Sequence, residues 1–510
     1  MSMVTGIEAG ANQQALVGSS RGHSSRPIQH QRSMTGPMNV GAANPPTLAV
    51  EAYLQVAEAR SRRSGTVDCN ADEVNVNQFG QPKLVIVLAR SAQCFFFILL
   101  LLYLSSCEQP QLIENSQLNQ HQIHETVSRA SHASGLRVNN PLSVKLVDRT
   151  ELHEILRASA AATKQSDVST ARRDGNSAMG LLSGEAQDTY EHALLSRSAA
   201  GVYLREKKTL YIVSEHARSE KGGIYLDSFG ALGQEVTLAH EVIHALQHMH
   251  YPELFAPDEA VWQQQTDAAI ALQAAIEGDA SLWAAMSLGF LGTARDPEEV
   301  VAASREGGSG PLSDAPTLVR ERIEFPYTYG YRFAYHEGKN GLKLPPASTE
   351  QVIHVDSSGR RAFLAIDLTD FATMIERMGC RVLFQDTMGE LTLSLWLRSL
   401  DSTATQGVWD GWDGDRWIAA ECINSQEVAW LTSWDTEQDA REFETTFTVL
   451  AADLQRRANL KSPLAAERNG REVLVASQGL WPQRGQLKRL AKRARVTTRT
   501  ELAAHFGRAE

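Results

Sequence analysis

Apolar positions are unevenly spread along the chain. Residues 1–83 are rich in Gln, Ser, Gly, Asn and Ala without a sustained apolar period, which predicts a disordered leader. An unbroken apolar run of 11 residues follows, Cys94 to Leu104, with Arg90 ahead of it. That length suits a signal-peptide core and falls short of the roughly 20 residues of a membrane-spanning helix. Residues 108–134 turn to Gln, Asn and His and read as a flexible tether. A folded pattern begins after them. Leu142-Ser-Val-Lys-Leu-Val147 alternates as a strand, Arg149 to Ala158 reads as a helix, and Gly201–Arg205 and Leu210–Val213 flank Glu-Lys-Lys-Thr as hairpin strands. Val236, Ala239, Ile243 and Leu246 recur at helical spacing, which seats a helix over Thr237–Gln247 against a core. Thr266 to Ala280 is alanine-rich and predicts a second helix, capped at Thr266 or Asp267. Thr293 to Pro316 reads as an exposed loop. Arg361 to Leu460 mixes helical runs with a Trp-rich part, in which Gly411–Trp417 is turn-like and Trp434–Phe443 opens a helix. Arg484 to Glu510 holds eight basic residues against Glu501 and Glu510 and predicts a solvated basic helix.

This order predicts an α+β fold. Residues 135–360 form a mostly helical domain with a small β-sheet before the 237–247 helix. Residues 361–460 belong to the same unit, and 461–510 form a basic tail. Hydrophobic residues at 43% and charged residues at 21% are ordinary for a globular protein, so the 510 residues suffice for a large core. A net charge of −11 offers no electrostatic footprint for nucleic acid. Five cysteines exclude a disulfide scaffold and show no zinc-finger spacing; Cys380 and Cys422 can form one bridge or remain two thiols. The apolar run ends in Leu104-Ser-Ser-Cys107, which resembles a bacterial lipobox, so 84–107 is expected to be a lipoprotein signal peptide with Cys107 as the lipid anchor. A signal anchor over Leu84–Leu104 is the rival, and must carry Arg90 inside the span. No methionine lies between Met38 and Cys107, which points to a translation start near Val87 or Leu88.

The chemistry concentrates in the 237–247 helix, which contains a complete H-E-x-x-H as His240, Glu241 and His244. Residues four apart share a helical face, so both imidazoles can grip one metal ion while Glu241 takes a proton from its water. A third ligand is needed. Glu277 lies in the apolar second helix, where a buried carboxylate requires a partner, and Gly278 beside it permits two helices to approach closely. His250 is the rival, ten positions after His240, but Gln247 occupies the place where the chain would have to turn sharply toward it.

His240–Gln247 and Glu277–Ala280 resemble the H-E-x-x-H-A-L-Q and E-G-D-A helices of a largely uncharacterised family of bacterial secreted or lipoprotein metallopeptidases. More broadly, they resemble the gluzincins, zinc peptidases with two His and one Glu as ligands. Tyr327-Thr-Tyr-Gly330 and Ser348-Thr-Glu-Gln351 with His354 resemble further markers of that family, so the likeness covers roughly Gly135 to Leu450. It implies a zincin-like catalytic domain, Zn²⁺ on His240, His244 and Glu277, and Glu241 as general base. Hydrolysis of a peptide or protein substrate at the bacterial cell envelope, lipid-anchored or secreted, follows from the same likeness. Zincins need an oxyanion donor beyond the metal, for which Tyr329 or His354 is the candidate and His336 a weaker one. Thermolysin-like enzymes also place an Asp four residues after the ligand Glu to orient a histidine. Here that position is Ser281, and Asp279 points about 200° away from Glu277 on a helix, so Ser281 or Asp267 is expected to serve. A catalytically inactive metal-binding lipoprotein acting as a binding module is the second reading.

Overall fold

The computed structural model describes residues 112–162, 167–181, 201–214, 233–255, 264–289, 296–305, 316–355, 360–400, 405–423 and 425–507. The leader, the signal peptide and Cys107 lie outside the described residues. A short hairpin, β1 (Ile113–Glu114) and β2 (Gln117–Leu118), leads into α1 (Gln120–Ser134). Asn119 caps α1 by accepting from the His121 and Gln122 amides, and Gly135 closes it at φ 72°, a conformation that favours glycine. The tether expected at 108–134 is therefore corrected from residue 112 onward. Its buried side chains are Gln122, Ile123, Thr126, Ala130 and Ser134, a helical face so poor in large apolar residues that it does not read as one.

Next come β3 (Ser143–Val147), α2 (Arg149–Ala162), α3 (Asp167–Ala178), β4 (Gly201–Leu204) and β5 (Thr209–Val213). The three strands form one sheet in the order β3-β5-β4, with β3 parallel and β4 antiparallel to β5. Every residue of central β5 is buried, and its Leu210 and Ile212 pack on Leu238, Val242, Ile243 and Leu246 of α4 (Gly233–His250). The expected sheet before the histidine helix is thus present, with β4 as an edge strand.

α5 (Thr266–Ser287) follows and is almost wholly internal, with 17 of its 22 residues buried. Its Ala280 belongs to the core under α4, while Ile270, Ala274 and Ile276 join a larger core with the aromatic residues of the C-terminal half. α6 (Pro297–Arg305) lies within the stretch expected to be a loop. α7 (Thr317–Glu337) crosses α5 with backbone against backbone. A Cβ on Gly278 would sit 1.9 Å from the Gly330 carbonyl oxygen, and one on Gly330 would sit 2.2 Å from that of Ala274. No side chain fits at either place, which is why two glycines are required.

The remainder is α8 (Thr349–Ile353), β6 (Phe363–Asp367), α9 (Thr369–Arg377), β7 (Arg381–Asp386), α10 (Gly389–Leu400), β8 (Trp412–Cys422), β9 (Ser425–Trp434), α11 (Glu437–Arg457), β10 (Leu464–Asn469), β11 (Glu472–Ser477), α12 (Arg484–Leu490), β12 (Lys492–Val496) and α13 (Arg499–Phe506). β7 to β11 build an antiparallel five-stranded sheet in the order β10-β11-β9-β8-β7, and β12 pairs with β6. Trp396, Trp412, Trp417, Trp430 and Trp434 are fully buried around it. Asp415, in the segment read as a turn-like loop, instead lies within β8. Its carboxylate accepts four hydrogen bonds of 2.9 to 3.0 Å, from the Met388 and Gly389 amides and from the Trp412 and Trp430 indoles. A fully satisfied buried carboxylate of this kind ties strand, turn and core together.

The basic tail expected at 461–510 is also corrected, since β10, β11 and β12 are sheet strands. Its cations are paired: Lys488 and Arg484 with Glu467 at 2.5 and 2.8 Å, Arg493 with Glu472 at 2.6 Å, and Arg495 with Asp413. Those acids lie 17 to 82 residues upstream, so a local count of charge misses them. Cys380 and Cys422 form a disulfide across 42 residues, joining α9's end to that of β8. Bridges of this kind typically contribute about 2–4 kcal/mol. Among the described residues no helix is long and apolar enough to cross a membrane.

The C-terminal half grips the start of α5. Asp386 accepts from the Thr266 amide at 2.9 Å and from its hydroxyl, and Arg416 donates to the Gln264 carbonyl at 2.6 Å. Asp267 accepts from the Thr349 hydroxyl at 2.5 Å, and that hydroxyl accepts from the Leu391 amide. Arg499 donates to the Ala268 carbonyl at 2.7 Å, 231 residues away.

Candidate metal centre

Helix α4 is buried on nearly every side, so its polar residues are interior groups. Val236, Ala239, Ile243 and Leu246 are each at most 3% exposed, and Glu241 and Gln247 are at 1% and 0%. The sheet covers one flank and α5 the other, and between them His240, His244 and Glu277 come together. Glu277 Oε2 lies 3.2 Å from each histidine Nε2, and the two Nε2 atoms are 2.9 Å apart. The imidazole rings stand at 88° to each other.

This triangle fits a tetrahedral ion. Ligand bonds of about 2.0–2.1 Å require ligand atoms about 3.3–3.4 Å apart, close to the three edges found here. Two imidazoles and one carboxylate are also a donor set that Zn²⁺ accepts while keeping a fourth position open. Burial pushes the His244 pKa down, but the Glu277 carboxylate outweighs it and raises the value to about 9. Burial likewise opposes ionisation of Glu277, and the two histidines overcome it, holding that carboxyl well below its usual range.

A relay fixes His244. Its Nδ1 donates to Gln247 Oε1 at 2.9 Å, and Gln247 Nε2 donates to Asp279 Oδ2 at 2.8 Å and to the Ile276 carbonyl at 3.0 Å. Trp283 Nε1 completes the chain by donating to Asp279 Oδ1 at 2.6 Å. With the proton placed on Nδ1, the Nε2 lone pair points to the other donors. The hydrogen bonds expected from Ser281 or Asp267 are instead made to His244 by Gln247, which is itself held by Asp279. Asp267 is engaged by Thr349, ten residues and nearly three helical turns from Glu277. Gln247 was detectable as an i+3 neighbour of His244 on a buried face.

Glu241 stands outside the triangle. Its Oε2 accepts from the Tyr203 amide of β4 at 2.7 Å, and among the described residues its buried Oε1 has no hydrogen-bond partner. Burial raises its pKa, against the lowering effect of His244, His240 and the Tyr203 amide. The Tyr203 hydroxyl meets His248 Nδ1 at 3.0 Å, so one residue pins the edge strand to α4 at two points.

The tyrosine beside the ligands is Tyr327, not Tyr329. The Tyr327 hydroxyl hydrogen-bonds the Glu277 carboxylate, and its ring lies 6.3 Å from that of His240. Burial, then Glu277 and Glu241, raise its pKa and keep the hydroxyl a donor. Tyr329, two positions on and so on the far side of α7, stacks on Phe325 at 5.1 Å beneath the Arg332 guanidinium. His354 pairs with Glu390 at 2.9 Å at the end of α8. The structure thus brings neither Tyr329 nor His354 to the ligands. His336 lies edge-on to Tyr335 near the end of α7. His250 bonds the Arg137 carbonyl at 2.8 Å on the surface, because α4 continues through Gln247 without a turn.

The family model of a domain of unknown function (DUF8575) matches residues 377–497, a segment that contains none of the converging ligands. No curated protein and no solved structure matches the chain.

Proposed function

We propose that the chain is a zinc-dependent endopeptidase of gluzincin type. The observation that carries this reading is the convergence of His240, His244 and Glu277 beside a buried Glu241 oxygen that lacks a partner. A zinc ion held by the three residues supplies a Lewis acid for a carbonyl oxygen and lowers a water's pKa to about 7. Glu241 does the proton work. Its Oε2 is fixed by the Tyr203 amide, which leaves Oε1 to take a proton from the attacking water and pass it to the departing amine. Gln247 and Asp279 keep His244 in one tautomer through the cycle.

Purified protein is expected to carry about one zinc per chain and to cleave a generic unfolded protein. A chelator should abolish both, and zinc should restore both. A chain that holds zinc but cleaves nothing would favour the second reading, a metal-binding envelope module. The orphan Glu241 Oε1 speaks for the enzyme, since a purely structural site has no use for it.

The proposed location is the bacterial cell envelope, through a lipid on Cys107 or by secretion. The Cys380–Cys422 bridge supports an oxidising compartment. The mature chain is then expected to start at a diacylated Cys107. Mass spectrometry of the N-terminus checks this, and a mature N-terminus at any other residue would contradict it.

A further inference from the structure

We infer that Tyr327 is a positioning residue of the metal centre, whose hydroxyl holds the Glu277 carboxylate so that one oxygen alone faces the two histidines. The inference rests on the metal reading above and adds a role that neither the H-E-x-x-H helix nor the E-G-D-A helix carries.

Three observations support it. First, Glu277 Oε2 makes both close approaches, 3.2 Å to His240 and 3.2 Å to His244, so the carboxylate already presents a single oxygen. A freely rotating carboxylate in a site with an open fourth position can swing to offer both oxygens and close that position. Second, the Tyr327 hydroxyl hydrogen-bonds this carboxylate while its ring flanks His240 at 6.3 Å. Third, the distance between the two helices is set by bare backbone. Gly278 follows the ligand directly, and Gly330 lies three residues, about one turn, after Tyr327. Because neither glycine tolerates a Cβ, α7 and α5 lie in direct backbone contact there, and this close approach brings the hydroxyl to the carboxylate. Tyr327 thus does for Glu277 what Gln247 does for His244.

The test uses Co²⁺ in place of zinc, because its visible absorption reports coordination number without any turnover. Full-length Tyr327→Phe, which keeps the ring and removes the hydroxyl, is expected to bind Co²⁺ about 10–100-fold more weakly, the usual cost of losing such a partner. Its absorption should weaken toward that of a five-coordinate site. Tyr327→His, which returns a donor near the same place, is expected to recover at least half of the lost affinity on a logarithmic scale. Wild-type affinity and spectrum in Tyr327→Phe, or equal loss in both variants, overturns the inference. Failure of the wild-type chain to bind Co²⁺ at all would strike the metal reading itself, and so is told apart from failure of the Tyr327 role.

Discussion

Glu241→Gln is expected to leave about one zinc per chain in place and to lower peptide hydrolysis about a thousandfold. The expectation follows from where the two carboxylate oxygens go. Oε2 accepts from the Tyr203 amide at 2.7 Å, and a glutamine oxygen can accept the same bond, so the side chain keeps its pose. Oε1, the oxygen without a partner, becomes an amide nitrogen that cannot accept a proton from water. A positioned general base contributes about 10²–10⁴-fold, and the middle of that range is the predicted loss. Metal content should hold because the converging donors are His240, His244 and Glu277, with Glu241 outside the set. Zinc analysis and steady-state cleavage on the same preparation decide the matter. Activity within tenfold of wild type would assign the base elsewhere, and loss of zinc would make Glu241 a ligand.

The second large effect concerns the third ligand. Glu277→Ala is expected to weaken zinc binding by about two to three orders of magnitude. A structural zinc site supplies about 10–16 kcal/mol over four ligands, so one ligand accounts for about 2.5–4 kcal/mol. His250→Ala should bind zinc normally, since that imidazole sits on the surface with the Arg137 carbonyl. Removing Glu277 also leaves Tyr327 and the two imidazoles facing an apolar hole, which adds to the loss. Competition with a chromophoric chelator measures both variants. Zinc lost in His250→Ala and retained in Glu277→Ala would overturn the proposed ligand set.

What the sequence revealed of the site depended on how local the chemistry was. Two imidazoles on one helical face fall three or four residues apart, so His240 and His244 were visible as a spacing. Glu277 was visible only as an acid in an apolar run that needed a partner. The step from Gln247 to Asp279 spans 32 residues and two helices, and no spacing rule reports it. Asp279 was set aside because it points about 200° away from Glu277, yet that is the side from which Gln247 reaches it. Helical phase also separates Tyr327 from Tyr329. Read as a strand or a loop, Tyr-Thr-Tyr offers two similar rings; as a turn of α7 it places one at Glu277 and the other against Phe325. The C-terminal misreading has a different cause. Lys488, Arg493 and Arg495 look like a solvated basic face until Glu467, Glu472 and Asp413 are folded against them. The S-T-E-Q segment is likewise a joint more than a site. Ser348 caps α8, Thr349 locks Asp267, and Gln351 ties Arg361 to Thr497.

The grip on the start of α5 also has a consequence in time. A ribosome adds about 5–20 residues per second, so roughly 10–50 s separate the making of Ala268 from that of Arg499, its hydrogen-bond partner 231 residues on. During that interval the near end of the helix bearing Glu277 gains its partners one at a time. Asp386, Arg416 and Arg499 arrive in that order, and only the last of them completes the hold. The hold on the helix that carries Glu277 is therefore complete only once residue 499 has been made, however early the helix itself is synthesised.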